Sequence, residues 1–200
     1  MRKITFTTML VCLSFALYPQ QSAPKGAVGV TFSGLGDNSA FYWQSLDGIG
    51  SQDGKGFYSL GITYIRIITS RIDLETGIEF SRFKYEFKNM STGSGAPKPY
   101  EVSNNLIGIP LTVRLNFSRY FFINGGLLID FDTGEDSKME SQSGVGAMLG
   151  MGVKYDLKNV PVGFFVNPYY KHHRILNISM DKYPLRSDDL GFRFGMVYRL

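Results

Sequence analysis

Two histidines, His172 and His173, stand side by side between Lys171 and Arg174, and they are the only histidines in the 200-residue chain. An imidazole pair can ligate a metal or act as a general base. A metal site wants a third ligand, and none is spaced to suggest one. A general base needs a hydroxyl held within about 3 Å of it, and the nearest serine, Ser179, lies in a polar stretch several residues on. A second set with chemical potential is charged: Asp73, Glu75, Glu79 and Asp130 against Arg114, Lys154, Arg193 and Arg199. Paired carboxylates can do acid and base work, but the mixed signs favour mutual neutralisation. A third feature, Gly144-x-Gly146-x-x-x-Gly150-x-Gly152, has the wrong spacing for a nucleotide-binding loop, and no strand-then-helix context surrounds it.

The elements that carry these residues repeat every two positions, not every 3.6. Phe192, Phe194, Met196, Tyr198 and Leu200 alternate with small or charged residues, as do Val145, Ala147, Leu149, Met151, Val153 and Tyr155. Ile107, Ile109, Leu111, Val113 and Leu115 form a third such face. Further strands are expected over 121–131, 160–171, 72–85, 57–68 and a short 27–33, which makes eight. The expected connections alternate strictly. Those near residues 69–71, 118 and 156–159 are tight; those over 35–56, 87–100, 132–143 and 176–188 are long and polar or rich in Gly, Ser and Pro.

That asymmetry separates a transmembrane barrel from a soluble sandwich, because barrels have short periplasmic turns, long extracellular loops and an even strand number. Hydrocarbon offers no hydrogen-bond partners, so a sheet that crosses it must close. The expected fold is an all-β, eight-stranded antiparallel up-and-down transmembrane β-barrel. Eight strands leave a lumen just wide enough for side chains to fill. Asp73, Glu75, Glu79, Arg114, Asp130, Lys154 and Arg193 then read as a lumen ion-pair network, since buried charges persist only when paired. The glycines of the sixth strand read as space for long polar side chains from its neighbours. Tyr64, Phe117, Phe121, Tyr155 and Tyr198 fall at the turn ends, and Phe131 and Tyr170 at the loop ends, as interfacial girdles require.

The N-terminus has the parts of a secretory signal: Arg2 and Lys3, an apolar run from Met9 to Leu17, then Pro19 and a small-residue region. Residues 1–22 are read as that signal and 23–200 as the barrel. Val11 before Cys12 argues against lipidation there, and removal of the signal leaves no cysteine for disulfides, thiol chemistry or Cys-based metal sites. The net charge of +4 is small and its Lys and Arg are dispersed, which gives no footprint for nucleic acid. A charged fraction of 19% with 44% hydrophobic residues excludes a disordered tail. No cofactor is expected.

The last eight residues, with Arg193, Gly195, Tyr198 and Leu200 at the pattern positions, resemble the C-terminal assembly signal (β-signal) of outer-membrane proteins. The whole mature chain resembles the porin-family outer membrane protein β-barrel domain of Gram-negative bacteria, including Ile107-Gly-Ile-Pro-Leu111 and Phe121-Phe-Ile-Asn-Gly-Gly126. The resemblance implies location in the cell outer membrane and insertion by the barrel-assembly machinery. The reading that follows is a non-enzymatic barrel with a filled lumen, acting through its extracellular loops or as a subunit of an envelope assembly with an unidentified protein partner. Alternatives are a narrow porin for small solutes, a PorT-like secretion-system barrel, and a lipid A modifying enzyme. The deacylase pattern His-x-Ser is missing at both histidines. Lys171, His172, His173 and Arg174 are instead expected to form a rim that meets acidic lipopolysaccharide, the other partner being outer-membrane lipid.

Overall fold

A computed structural model describes residues 26–42, 52–88, 99–134, 141–177 and 185–200. The expected signal over 1–22 lies outside these residues. Eight strands run in order: β1 (Gly26–Tyr42), β2 (Gln52–Ile67), β3 (Ile72–Phe87), β4 (Tyr100–Phe117), β5 (Phe121–Asp132), β6 (Gly144–Asp156), β7 (Val162–Asn177) and β8 (Leu185–Arg199). Each pairs antiparallel with its chain neighbours, and β8 returns to β1 from Ala27↔Arg199 to Tyr42↔Leu185, so the sheet closes.

The period-two faces sort as the alternation requires. Leu149 and Met151 are each 66% exposed and Ile62 is 63% exposed, whereas Glu75 and Thr112 are fully buried. Large apolar side chains therefore point outward all round the wall, an inside-out arrangement that only a hydrocarbon solvent stabilises. Aromatic rings bracket this band. Tyr64, Phe117, Tyr120, Phe121, Tyr155 and Tyr198 ring the turn end, with Tyr120 and Tyr155 stacked at 6.4 Å, and Tyr58, Phe80, Phe131 and Tyr170 ring the loop end. The turns are locally stabilised: Thr69 Oγ1 accepts from the amides of Arg71 (3.2 Å) and Ile72 (3.0 Å), and the Leu157 amide donates to Val162 O (2.9 Å).

The strands are longer than the sequence suggests. Much of the stretch over 35–56 expected as a loop is strand, and so are 100–106 and 185–190. Beyond the apolar band the outward face becomes polar or small, as at Asp37, Ser39, Asp53 and Ser103, so the alternation fades while the ladder continues. Bulges mark these extensions. The register shifts between Gly54 and Gly56, where Gly56 adopts φ 108°, a conformation suited to glycine, and its amide donates to Asn38 Oδ1 (2.8 Å).

Two ladders are interrupted at prolines. Pairing of β3 with β4 passes from Thr76↔Leu111 to Glu79↔Gly108 around Pro110, and that of β6 with β7 from Gly150↔Tyr169 to Val153↔Val166 around Pro168. Proline has no N–H to give. With its amide turned to satisfy its neighbours, Asn167 donates to Met151 O (3.1 Å), replacing the missing bond at the second gap. The glycines of β6 make room for a long polar chain near the loop end and for a ring and short amides further down: a Cβ on Gly144 would stand 3.1 Å from Arg174 Cγ, one on Gly152 2.5 Å from Phe122 Cζ, and one on Gly150 2.6 Å from the side-chain amide of Asn167.

Candidate functional site in the barrel lumen

The lumen is filled in layers. At the turn end, Ala27, Ile65, Phe122, Phe165 and Val197 pack into an apolar floor, with Phe122 and Phe165 edge to face at 6.1 Å. Each comes from a different strand at an inward parity, which is why five dispersed residues meet. Beside this floor a polar chain links three strands: Lys154 Nζ donates to Asn116 Oδ1 (2.6 Å), and Asn116 Nδ2 donates to Asp73 Oδ2 (2.8 Å).

Above the floor, Glu75 receives Arg114 Nη2 on Oε2 (2.8 Å), Arg193 Nη2 on Oε1 (2.9 Å), and Thr63 Oγ1 on Oε1 (3.3 Å). Arg114 lies 4.2 Å over the Phe122 ring and 4.8 Å over Phe165, with Arg193 5.4 Å from Phe165. The floor aromatics thus face the guanidinium planes, a cation–π contact that gains strength when desolvated. β3, β4 and β8 are joined across the bore by one carboxylate.

The loop-side half of the lumen has a different composition. Phe57, Phe83, Tyr85, Val102, Leu106, Leu128, Met148 and Tyr169 form an apolar layer. Glu79 pairs with Lys171, and His173 is held at both ring nitrogens: Nδ1 to Asp130 Oδ2 (2.8 Å) and Nε2 to Asp189 Oδ1 (2.7 Å). Two carboxylate acceptors require two N–H donors, so this geometry describes an imidazolium. Phe83 meets His173 edge-on at 5.5 Å.

Of the residues expected in the network, the structure joins Glu75 with Arg114 and Arg193, Asp73 with Lys154 through Asn116, and brings Glu79 and Asp130 onto Lys171 and His173. The expected rim is corrected by this placement. Lys171, His173 and Arg174 are buried at 2%, 3% and 0% exposure and point into the lumen, not toward lipopolysaccharide. Parity explains the first two, since β7 turns Phe165, Asn167 and Tyr169 inward and the same alternation continues through 171 and 173. A bulge explains the third: β6 pairing jumps from Ala147↔His172 to Val145↔Leu176, and Arg174 takes φ 56°, which swings its side chain inward. Only His172 faces outward, bonded through Nδ1 to Asp188, whose Oδ2 also accepts from Tyr170 OH (2.6 Å). Asp189 escapes the sequence reading because the alternation of the last strand is visible only from Phe192 onward, whereas β8 begins at Leu185.

The residues that resemble an assembly signal are also built into the wall. Arg193 holds Glu75, and Gly195 lies under the Phe165 ring, where a Cβ would come within 2.2 Å. Tyr198 faces outward in the turn-side girdle, and the Leu200 amide donates to Gly26 O (2.8 Å) across the β1–β8 seam.

Among the described residues no group of three His, Cys, Asp or Glu side chains is placed to hold a metal ion. Asp188 lies in register between Ser39 on β1 and His172 on β7. A nucleophilic relay needs the imidazole between hydroxyl and carboxylate, and here the carboxylate occupies the middle.

A closed antiparallel barrel with an apolar outer band, aromatic girdles and a charged interior defines a transmembrane barrel of the cell outer membrane. The chain belongs to the outer membrane protein beta-barrel domain family, whose sequence profile matches residues 7–199. No curated protein matches it in sequence. Among solved structures, outer membrane protein AlkL, determined in lipid bilayers, is similar at a TM-score of 0.51 and 14% identity, over 92% of this chain and 96% of that one. The outer membrane protein OprG from Pseudomonas aeruginosa gives 0.50 and 14%, over 90% and 97%. Both likenesses concern the fold.

Proposed function

We propose that the protein is a non-enzymatic outer-membrane barrel whose lumen is a structural plug, and whose role is exercised by its extracellular loops or as a subunit of an envelope assembly with another envelope protein. The observation that carries this reading is the Glu75–Arg114–Arg193 bridge, backed by Phe122 and Phe165 on the turn side and by the Phe83–Tyr85 layer on the loop side. A solute would have to displace buried, mutually neutralised charges to pass. Purified protein in planar bilayers is expected to give no steady conductance, and stable single-channel steps would overturn the reading in favour of a narrow porin.

The arrangement of Ser39, Asp188 and His172 supports the non-enzymatic part. A His172→Ala, His173→Leu double variant is expected to leave the acylation pattern of cellular lipid A unchanged by mass spectrometry; a gained or lost acyl chain would restore the enzyme reading. Arg193, Gly195, Tyr198 and Leu200 are proposed as the segment that the barrel-assembly machinery reads during insertion.

A further inference from the structure

With Lys171, His173 and Arg174 turned into the lumen, the cations available to outer-leaflet phosphates must lie elsewhere. The outward face of β3 runs Ile72, Leu74, Thr76, Ile78, Phe80 and then Arg82 and Lys84. The change from apolar to basic falls one outward position above Phe80, in the loop-side girdle. Both cations are exposed, and neither forms an ion pair among the described residues, whereas the nearby Lys55 and Lys88 are taken up by Glu86 and Asp53. Their register partners on β4 are polar: Asn105 beside Arg82 and Ser103 beside Lys84.

Directly below them lies a groove of about 700 Å³ on the lipid-facing wall, walled by Leu60, Ile62, Ile78 and Phe80, with Gly61 and Gly77 in its floor. The groove ends at Phe80 and Leu60, which are paired across β2 and β3, so its upper mouth opens beneath Arg82. Elsewhere at this height the outward groups include Asp37 on β1, which flanks the groove beside β2, and the His172–Asp188 pair across β7 and β8. Arg82 and Lys84 are thus two exposed cations at the upper mouth of an apolar groove.

We propose that this face is a binding site for a phosphorylated, multi-acylated glycolipid of the outer leaflet: Arg82 and Lys84 hold a headgroup phosphate, and one acyl chain lies in the groove below. The chemistry is complementary at both ends. A guanidinium offers a planar fork to phosphate oxygens and the ammonium adds a second charge, while the groove removes chain methylenes from competing lipid. This site is independent of whether the lumen conducts.

The test is native mass spectrometry of the full barrel in mild detergent, titrated with bisphosphorylated hexa-acylated lipid A. Arg82→Gln with Lys84→Gln is expected to weaken binding about thirtyfold, from roughly a tenfold loss or less for each cation near an anionic surface. Val30→Trp, which narrows the groove from β1, is expected to weaken it less. Arg119→Gln, at the opposite end of the barrel, is expected to leave it unchanged. All variants should keep the parent's heat-dependent gel migration, which separates loss of the site from loss of the fold. Equal binding by dephosphorylated lipid A, equal binding by phosphatidylglycerol, or an unaltered affinity in the Arg82 and Lys84 variant would each overturn the proposal.

Discussion

The two charged layers of the lumen solve one problem in opposite ways. In the turn-side layer one acid sits between two arginines, and the rings of Phe122 and Phe165 cover the guanidinium faces. In the loop-side layer one base sits between two acids, with Lys171 and Glu79 close by. Arginine stays charged at any ordinary pH, so the first layer depends only on geometry. The second depends on a proton, because His173 can satisfy Asp130 and Asp189 together only while both of its nitrogens carry one. A barrel wall can thus be braced by permanent charge at one height and by a protonated side chain at another.

The sharpest test of this contrast is Glu75→Ala. It strands two buried guanidinium groups, and breaking a buried pair costs about 3 to 5 kcal/mol, so a loss of about 5 kcal/mol is expected in urea unfolding from lipid vesicles. His173→Leu should follow at about 3 kcal/mol, because Lys171 remains beside Asp189 to absorb part of the exposed charge. A larger loss at His173 than at Glu75 would reverse the order of the two layers. Gly195→Ala probes the first layer without touching a charge. Its Cβ would push the Phe165 ring off the arginines, at about 1 to 3 kcal/mol for overpacking.

The smallest effect belongs outside the bore, at Lys88. Asp53, then Glu86, hold its ammonium above the usual lysine pKa. The raised value means that this contribution is present at neutral pH and is lost as pH rises through the lysine range. The side chain is nonetheless well exposed, and Lys88→Ala is expected to leave the unfolding midpoint unchanged, since exposed pairs contribute little.

The closed barrel was legible in the sequence because hydrocarbon imposes a strict outward alternation, and Phe192 to Leu200 or Val145 to Tyr155 display it without interruption. Strand lengths were not, because beyond the band the outward residues need not be apolar: Asp37 and Ser103 occupy strand positions that look like loop. The lumen set was half legible. Glu75, Arg114 and Arg193 stand in alternating segments and were found by parity alone. Lys171 and His173 follow the same parity, but four adjacent basic residues read as one surface feature, and the bulge that turns Arg174 inward has no sequence signature comparable to a glycine. Asp189 was hidden by the apparent loop before it.

The β1–β8 seam carries a kinetic consequence. The other seven pairings each join chain neighbours, while this one joins fifteen residue pairs across nearly the full length of the protein. On a loop-entropy estimate, bringing such distant ends together costs about 4 kcal/mol, and until it happens both edges present unpaired amides and carbonyls to a medium that cannot solvate them. Long-range pairing of this kind is slow to form. Closure is therefore the step at which an unfinished sheet is most exposed to pairing with the wrong edge, and the step at which an insertion catalyst that shields β1 and β8 would accelerate assembly most.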